Sequence, residues 1–329
     1  MIALAGNYDA ALFDLDGVIY LGPLAVDGVP EALDELRSRG THLGFVTNNA
    51  ARTPAVVAEH LTELGITANE ADVVNSTQAT LRMLAGELAP GARVLAVGTD
   101  ALRQQLTEAG FVVVSSLDDE PDAVVQGYSP TIEWQRLEEA ALAVQRGAVW
   151  YGTNPDMTRP SDRGIVPGLG SQLAVVRACV DVEPRIAGKP YRPLLDETVL
   201  RIGADKPIFV GDRTDTDILG ANNVGMDSLF VFTGAHGKAD LAVAPPDYRP
   251  TYIGFDAAAL LEPPREAEVH GERFVCGYQE VDMTEGFAYL GTRPVTRDEQ
   301  LDALWAALQA KWRFDVDIDA VLNSLDTLR

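Results

Sequence analysis

Two aspartates separated by one residue, Asp14 and Asp16, follow a short apolar segment and precede Gly17. Alternate residues of an extended strand point to the same side, so both carboxylates would lie together where the strand ends. Paired carboxylates in apolar surroundings need a cation or a proton to balance their charge. The pair therefore indicates metal binding or acid–base chemistry, and an Asp-Gly turn without chemistry is the structural alternative.

Three further polar motifs occur later in the chain, in loops or at the ends of apolar segments. They are Thr47-Asn48-Asn49, Gly188-Lys189-Pro190 and the stretch from Gly211-Asp212 through Asp215 to Asp217. Ligands of parallel α/β sheets lie beyond the carboxyl ends of the strands, where these motifs belong. Taken singly, Thr47 could simply enter a helix, and Lys189 could be a surface lysine. Asp212 and Asp217 could likewise cap turns.

The apolar pattern around the first motifs predicts alternating strands and helices. We expect strands at 8–13 and 42–47 and a helix at 27–39. Thr53 and Pro54 are favourable residues for the cap and first turn of a second helix, which we expect to end near Leu64. This order predicts a parallel sheet with right-handed crossovers.

A second run of alternating segments begins near residue 80. The predicted strands are 94–98, 111–115, 123–127 and 148–153, and the predicted helices are 99–109, 131–146 and 170–181. Strands at 208–210 and 229–233 then resemble the first block. We expect residues 1–78 and 184–262 to form the core domain and residues 79–183 to be an insertion, because surface loops tolerate inserted domains.

Residues 265–329 follow a proline-rich stretch and form a predicted C-terminal module for packing or dimerisation. Strands are expected at 273–281 and 286–291, and a short last helix at 317–328. Thr296 and Glu299 form a capping box for a helix whose apolar stripe includes Trp305 and Trp312. The predicted fold class is α/β: a doubly wound parallel-sheet, Rossmann-like core with an inserted α/β cap and a small C-terminal α+β module.

The composition limits the partners and the compartment. The formal net charge of −23 argues against nucleic acid and anionic membranes as partners. It also means that an anionic substrate must find its positive charge locally. Cys179 and Cys276 have no nearby ligand pattern, so we expect free thiols and a cytoplasmic protein.

The four motifs, in this order, resemble the signature of the haloacid dehalogenase superfamily. The resemblance implies that Asp14 is a nucleophile that forms an aspartyl-phosphate and that Asp16 is the general acid and base. It implies that Mg²⁺ is bound by the side chains of Asp14 and Asp212 and by the backbone carbonyl of Asp16. Asp217 would bind the metal or orient Lys189 or a metal-bound water.

The same resemblance completes the catalytic set. Thr47 and Asn48 join it at the second motif, where the hydroxyl and backbone N–H groups would hold phosphate oxygens. Lys189 would pair with Asp14 and with the phosphate, supplying local positive charge.

The stretches Val46–Ala50, Thr153–Asp156 and Pro167–Gly170 resemble the phosphatases with a large α/β cap, which include nitrophenyl-phosphate and phosphoglycolate phosphatases. In that group the cap is inserted between the second and third motifs. The overall build, with a tail after the core, is most similar to actinobacterial glycerol-3-phosphate phosphatases. The residues expected to bind the substrate are Asn49, Asn154, Asp156 and Arg159.

The resemblance thus implies a Mg²⁺-dependent phosphatase of a small phosphorylated metabolite, with glycerol 3-phosphate as the expected substrate. Phosphoglycolate or a broad range of sugar and nucleotide phosphates is the first alternative. A phosphomutase, a non-catalytic phospho-acceptor module and an acyl-transferring tail are further alternatives. We expect no nucleic-acid or membrane partner, and a homodimer is the assembly left open.

Overall fold

The computed structural model describes residues 2–161 and 163–328, except the side chain of Pro160. Its strands are β1 (Ala10–Asp14), β2 (Tyr20–Leu21), β3 (Leu24–Ala25), β4 (His42–Thr47), β5 (Val73–Asn75), β6 (Arg93–Val97), β7 (Val112–Val114), β8 (Ala123–Gln126), β9 (Val149–Gly152), β10 (Thr158–Ser161), β11 (Gly164–Pro167), β12 (Arg185–Ile186), β13 (Pro207–Gly211), β14 (Asp227–Val231), β15 (Tyr252–Gly254), β16 (Ala267–His270), β17 (Arg273–Cys276), β18 (Gln279–Thr284) and β19 (Phe287–Leu290).

Its helices are α1 (Val29–Ser38), α2 (Pro54–Glu63), α3 (Ser76–Glu87), α4 (Asp100–Glu108), α5 (Trp134–Gln145), α6 (Leu169–Arg177), α7 (Arg192–Ile202), α8 (Leu219–Val224), α9 (Lys238–Ala242), α10 (Arg297–Phe314) and α11 (Asp319–Leu322). In the part of the chain that the structure describes, no helix is long and apolar enough to cross a membrane. Cys179 and Cys276 are both free thiols, as expected from the sequence.

The chain forms two compact units. The first comprises Met1–Leu43 and Ala204–Arg329, and the second comprises Gly44–Gly203. The domain boundaries expected from the sequence, at residues 78 and 184, stay a prediction.

In the first unit, parallel strands lie in the order β15-β14-β13-β1. Phe13 pairs with Val210, and Val210 pairs with Leu229, so β1, β13 and β14 are in close register. Their side chains are almost all buried, as expected for parallel strands that are covered on both faces. This register places the carboxyl ends of β1 and β13 side by side.

The C-terminal part of the first unit is an antiparallel sheet, β16-β17-β18-β19, packed on α10. The capping box of Thr296 and Glu299 begins α10, as predicted. The single strand expected at 273–281 is wrong: the chain turns at Gly277, whose φ of 55° is in the left-handed region, and returns as β18. The last helix is also shorter than expected, since α11 ends at Leu322.

One hydrophobic cluster joins this C-terminal part to the parallel-sheet part of the first unit. It contains Phe230 and Ile253 from β14 and β15 together with Phe274, Leu304 and Trp305. Trp305 and Trp312 make an edge-to-face contact, with ring centroids 5.8 Å apart. Trp305 is buried and Trp312 is partly buried.

The second unit contains the five-stranded parallel sheet β12-β9-β8-β6-β7. Separate hydrophobic clusters cover its two faces, one around Trp150 and Leu137 and the other around Tyr151 and Leu102. The antiparallel hairpin β10–β11, which was not expected, follows β9. Strand β4 pairs with β5 in parallel through residues 45–47, and Thr53 caps α2 by accepting a hydrogen bond from Val56 N–H.

Candidate active site

Three aspartates of the first unit form a carboxylate cluster. Asp14 is the last residue of β1, Asp212 directly follows β13, and Asp217 lies in the π-helical turn Thr214–Ile218. One carboxylate oxygen from each residue lies within 4.8 Å of the others. The register of β1 with β13 explains this proximity, because both strands end at the same edge of the sheet.

Backbone groups hold the Asp212 side chain in a narrow space. Ala235 N–H donates to Asp212 Oδ2 at 2.6 Å, and His236 N–H donates to the Asp212 carbonyl at 3.3 Å. A Cβ at Gly17 would lie 2.5 Å from Asp212 Oδ2, and a Cβ at Gly234 would overlap the same oxygen. Glycine is therefore required on both sides of this carboxylate.

Asp217 organises the loop that follows β13. Its Oδ2 accepts hydrogen bonds from Asp212 N–H at 3.2 Å and from Arg213 N–H at 3.1 Å. The side chain is fully buried, and Gly211 packs so closely that a Cβ there would overlap it. Asp217 therefore caps this turn, as the structural alternative predicted, and it also belongs to the carboxylate cluster.

The cluster fits the predicted Mg²⁺. Three carboxylates with oxygens within 4.8 Å of one another, those of Asp212 and Asp217 buried, repel one another unless a cation balances them. Carboxylate oxygens are hard ligands of the type that Mg²⁺ prefers. The donor chemistry therefore matches a divalent cation held by Asp14, Asp212 and Asp217.

Asp16 and Asp215 lie outside this cluster in the described structure. Asp16 is exposed, just after β1, and pairs through its backbone with Tyr20. Asp215 forms an ion pair with Arg213 at 2.8 Å and lies 3.9 Å from His236 Nε2. The roles predicted for Asp16 as acid and base and as a carbonyl ligand stay predictions.

The second motif lies in the second unit, at the end of β4. Thr47 is buried, and its Oγ1 accepts a hydrogen bond from Asn49 N–H at 3.1 Å. Asn49 Oδ1 in turn accepts from Ala51 N–H at 2.9 Å, which forms a tight turn after the strand. Thr47 therefore ends a strand that pairs with β5, rather than starting a helix.

Lys189 is close to Asn48 in the same unit. Only 2% of Lys189 is exposed, so the alternative of a surface lysine is wrong. Lys189 N–H donates to Asn48 Oδ1 at 2.8 Å, and Asn48 Nδ2 donates to the Lys189 carbonyl at 3.0 Å. The second and third motifs are thus joined by two hydrogen bonds.

Two of the residues expected to bind the substrate, Asn154 and Asp156, lie at this junction. Asn154 Nδ2 donates to the Asn48 carbonyl at 2.7 Å, and Asn48 Nδ2 also lies 3.2 Å from Asp156 Oδ1. Arg159, in β10, places its guanidinium 4.8 Å from the ring centroid of Tyr128. The structure therefore brings Asn154 and Asp156 to Asn48, and Arg159 to Tyr128.

Several groups of these sites were not identified from the sequence. The segment 233–236 holds Asp212 through backbone N–H groups, which carry no side-chain signature. Its position after β14, the strand beside β13, is the feature that could have identified it. Ser76, whose Oγ donates to the Asn48 carbonyl at 2.7 Å, begins the unexpected helix α3.

Comparison with known proteins places these motifs in one family. A model of haloacid dehalogenase-like hydrolases matches residues 11–112, and a related HAD-hydrolase-like model matches residues 186–260. An acid sugar phosphatase of Staphylococcus aureus is 38% identical over 246 residues, which cover 74% of this chain and 94% of the relative. The chain belongs to the haloacid dehalogenase-like hydrolases.

Two further proteins are similar to a larger share of the chain. A D-glycerol 3-phosphate phosphatase of Mycobacterium tuberculosis is 47% identical over 260 residues, covering 79% of this chain and 73% of the relative. The crystal structure of a glycerol phosphate phosphatase from the same organism, in complex with magnesium, superposes with a TM-score of 0.88 at 38% identity. The match covers 99% of both chains and confirms the predicted fold class.

Proposed function

We propose that the chain is a Mg²⁺-dependent phosphomonoester hydrolase that converts glycerol 3-phosphate to glycerol and phosphate. The observation that carries the proposal is the cluster of Asp14, Asp212 and Asp217 at the carboxyl ends of β1 and β13. The substrate is supported by the identity and full-length structural similarity to the mycobacterial glycerol phosphate phosphatases.

Asp14, Asp212 and Asp217, with the backbone carbonyl of Asp16, are the groups that would hold Mg²⁺. When bound, Mg²⁺ neutralises carboxylate charge and polarises the phosphate towards attack. The buried position of Asp212 and Asp217 suits this role, since buried charges are retained where they are balanced.

Asp14 supplies the nucleophile in the proposed reaction. One of its carboxylate oxygens bonds to phosphorus while the bond from phosphorus to the ester oxygen breaks. Asp16 gives its proton to the departing alkoxide, and glycerol leaves. Asp16 then takes a proton from water, whose oxygen attacks phosphorus; phosphate leaves and the Asp14 carboxylate is restored.

Thr47 and Lys189 are proposed to hold the phosphoryl group. The Thr47 hydroxyl donates to a phosphate oxygen, and the Lys189 ammonium balances the charge on the phosphate. Burial of Lys189 supports this role, because a cation with little access to water interacts more strongly with an anionic partner. Lys189 would thus supply local positive charge for the phosphate, in a chain whose net charge is −23.

Asn49, Asn154, Asp156 and Arg159 are proposed to contact the glycerol moiety or the phosphate. Amide and carboxylate groups suit hydroxyls, whereas the Arg159 guanidinium suits an anionic group. Phosphoglycolate or a broad range of sugar and nucleotide phosphates remains the second candidate function, since an acid sugar phosphatase is among the relatives.

We further propose a core domain of residues 1–78 and 184–262, a cap of residues 79–183 and a C-terminal module of residues 265–329 for packing or dimerisation. The free thiols of Cys179 and Cys276 support a cytoplasmic location. A homodimer is the assembly to test, by light scattering.

The test is phosphate release across a substrate panel with Mg²⁺: glycerol 3-phosphate, phosphoglycolate, pyridoxal phosphate, a sugar phosphate, a nucleotide and nitrophenyl phosphate. We expect the highest kcat/KM for glycerol 3-phosphate and complete loss of activity with EDTA. A higher kcat/KM for phosphoglycolate, or similar values for all esters, would overturn the glycerol 3-phosphate assignment. No release from any ester would overturn the hydrolase assignment.

A further inference from the structure

Asn48 uses nearly all of its hydrogen-bonding capacity inside the protein. Its Oδ1 accepts from Lys189 N–H, and its Nδ2 donates to the Lys189 carbonyl and to the Asp156 carboxylate. Its own carbonyl accepts from Asn154 Nδ2 and from Ser76 Oγ, both at 2.7 Å. An amide nitrogen has two protons, so Asn48 Nδ2 has none left for a substrate.

These bonds join three separate segments of the second unit. The first is the loop 153–156 after β9, the second is the loop 187–190 after β12, and the third is the start of α3. Gly188 shows how close the packing is, since a Cβ there would lie 2.7 Å from Asn48 Oδ1 and 2.8 Å from the Thr153 carbonyl. The junction thus has no room for a side chain at residue 188.

We propose that Asn48 is a positioning residue that holds Lys189 in its catalytic place, and that Asp156 holds Asn48. The inference rests on the proposed function of Lys189. The cyclic pair of bonds to both backbone groups of Lys189 fixes its Cα and so the origin of its long side chain. Asp156, a charged acceptor, fixes which way the Asn48 amide faces.

This arrangement gives Asp156 a second task besides the proposed contact with the substrate. Its carboxylate lies 3.2 and 3.3 Å from Asn48 Nδ2, and its N–H donates to Asn154 Oδ1 at 3.2 Å. The Asn48 amide therefore links the loop 153–156 to Lys189. Any change that turns or removes this amide should displace Lys189 and so lower kcat.

Exchange of the donor and the acceptor gives a sharp test. In Asn48→Asp, the new carboxylate at residue 48 faces the Asp156 carboxylate and repels it. The Lys189 carbonyl also loses its hydrogen-bond donor. In the double variant Asn48→Asp/Asp156→Asn, the amide at residue 156 donates to the new carboxylate, which still accepts from Lys189 N–H. Asn323→Asp adds the same charge at an exposed position and serves as the control.

We expect kcat for glycerol 3-phosphate to fall about 10²-fold in Asn48→Asp, since small misplacement of a catalytic group has effects of this size. The double variant should regain about tenfold of the loss, and the control should match the parent. A rise in KM with kcat retained, or a double variant no better than the single, would overturn the positioning role.

A second readout does not depend on turnover. Amide hydrogen exchange in the full chain reports the bond from Lys189 N–H to Asn48 Oδ1 directly. We expect Asn48→Ala to accelerate exchange at Lys189 more than tenfold, while exchange in α5 is unchanged. Unchanged exchange at Lys189 in a folded Asn48→Ala variant would overturn the junction. Hydrogen exchange at Lys189 can be measured even if the parent chain hydrolyses no ester. The positioning role of Asn48 and the proposed hydrolase function can therefore fail separately.

Discussion

At the residue scale, the Asp217 carboxylate has two roles. It accepts hydrogen bonds from two backbone N–H groups, and it belongs to the carboxylate cluster. Asp215, two residues before it, pairs with Arg213 and lies outside the cluster. The two aspartates therefore form a matched pair for mutagenesis, one inside the predicted metal site and one beside it.

Asp217→Asn should weaken Mg²⁺ binding about 10–100-fold, the range typical of partners that orient metal ligands. The amide can still accept from the backbone, but it removes a negative charge from the cluster. Calorimetric titration with Mg²⁺ measures the change, and Asp215→Asn is the control expected to stay within about threefold of the parent. Equal loss of affinity in both variants would contradict the assignment.

Tyr8 predicts a pH dependence of stability. Burial, with further contributions from the hydrogen bonds to Tyr252 and Asp227, raises the pKa of the Tyr8 hydroxyl far above its usual value. The folded chain thus holds this proton more tightly than the unfolded chain. Its contribution to stability is complete below about pH 10, where an unfolded tyrosine titrates, and is lost as the pH rises beyond that value.

The free energy of unfolding should therefore fall above about pH 10, by up to about 1.4 kcal/mol per pH unit from Tyr8. In Tyr8→Phe this slope should be smaller, although the variant is less stable at pH 7 by about 1–3 kcal/mol because the hydrogen bond to Asp227 is lost. Urea unfolding at pH 7, 9, 10 and 11 measures both effects. Parallel pH profiles for the two proteins would contradict this assignment.

At the scale of elements, the end of β13 and the segment after β14 together build the cavity for the Asp212 carboxylate. Ala235 N–H binds the carboxylate, and Gly234 has no side chain that would fill its space. The predicted metal site therefore depends on a backbone segment that carries no acidic residue.

Gly234→Ala should lower the free energy of unfolding by about 1–3 kcal/mol, because the added methyl overlaps Asp212 Oδ2 in a packed region. It should also weaken Mg²⁺ binding by displacing that oxygen. Gly86→Ala, at an open position in α3, is the control and should stabilise the chain by about 0.5–1 kcal/mol. Thermal melts with and without Mg²⁺ measure both; an unchanged response of Gly234→Ala to Mg²⁺ would be evidence against the cavity.

The same elements show what the sequence could and could not predict. Strand β4, the capped start of α2 and the capping box of α10 were predicted because local side chains determine them. Assembly of Asp14 with Asp212 was predictable because parallel strands end at one edge of a sheet. The segment 233–236 and the bonds of Asn48 were not, since backbone donors and long-range amide contacts leave no pattern in the chain.

At the scale of the whole molecule, the C-terminal sheet and α10 share a hydrophobic cluster with β14 and β15 in the first unit. Two further contacts connect the parts: Lys238 Nζ donates to the carbonyls of Leu325 and Leu328, and Trp312 Nε1 donates to the Leu241 carbonyl at 3.1 Å. Ile218, which follows Asp217, belongs to the same cluster. The C-terminal residues therefore support the part of the chain that bears the carboxylate cluster.

Deletion of residues 265–329 should expose this cluster and reduce soluble yield and melting temperature. A milder variant, Trp305→Ala, should lower the free energy of unfolding by about 3–5 kcal/mol, because it removes a large buried ring. Soluble yield and thermal melts of both proteins provide the measurement. Melting of the deleted chain at the parent's temperature would show that the C-terminal residues do not support the first unit.

We infer that Asp14 of this haloacid dehalogenase-like hydrolase attacks phosphorus with Mg²⁺ bound at the carboxylate cluster. The most direct test compares phosphate release from glycerol 3-phosphate by the parent chain and by Asp14→Asn, with Mg²⁺ and with EDTA. We predict rapid release by the parent with Mg²⁺ only, and loss of at least about 10³-fold in a folded Asp14→Asn variant, as for removal of other nucleophiles. Appreciable activity of Asp14→Asn, or release by the parent in EDTA, would contradict the account.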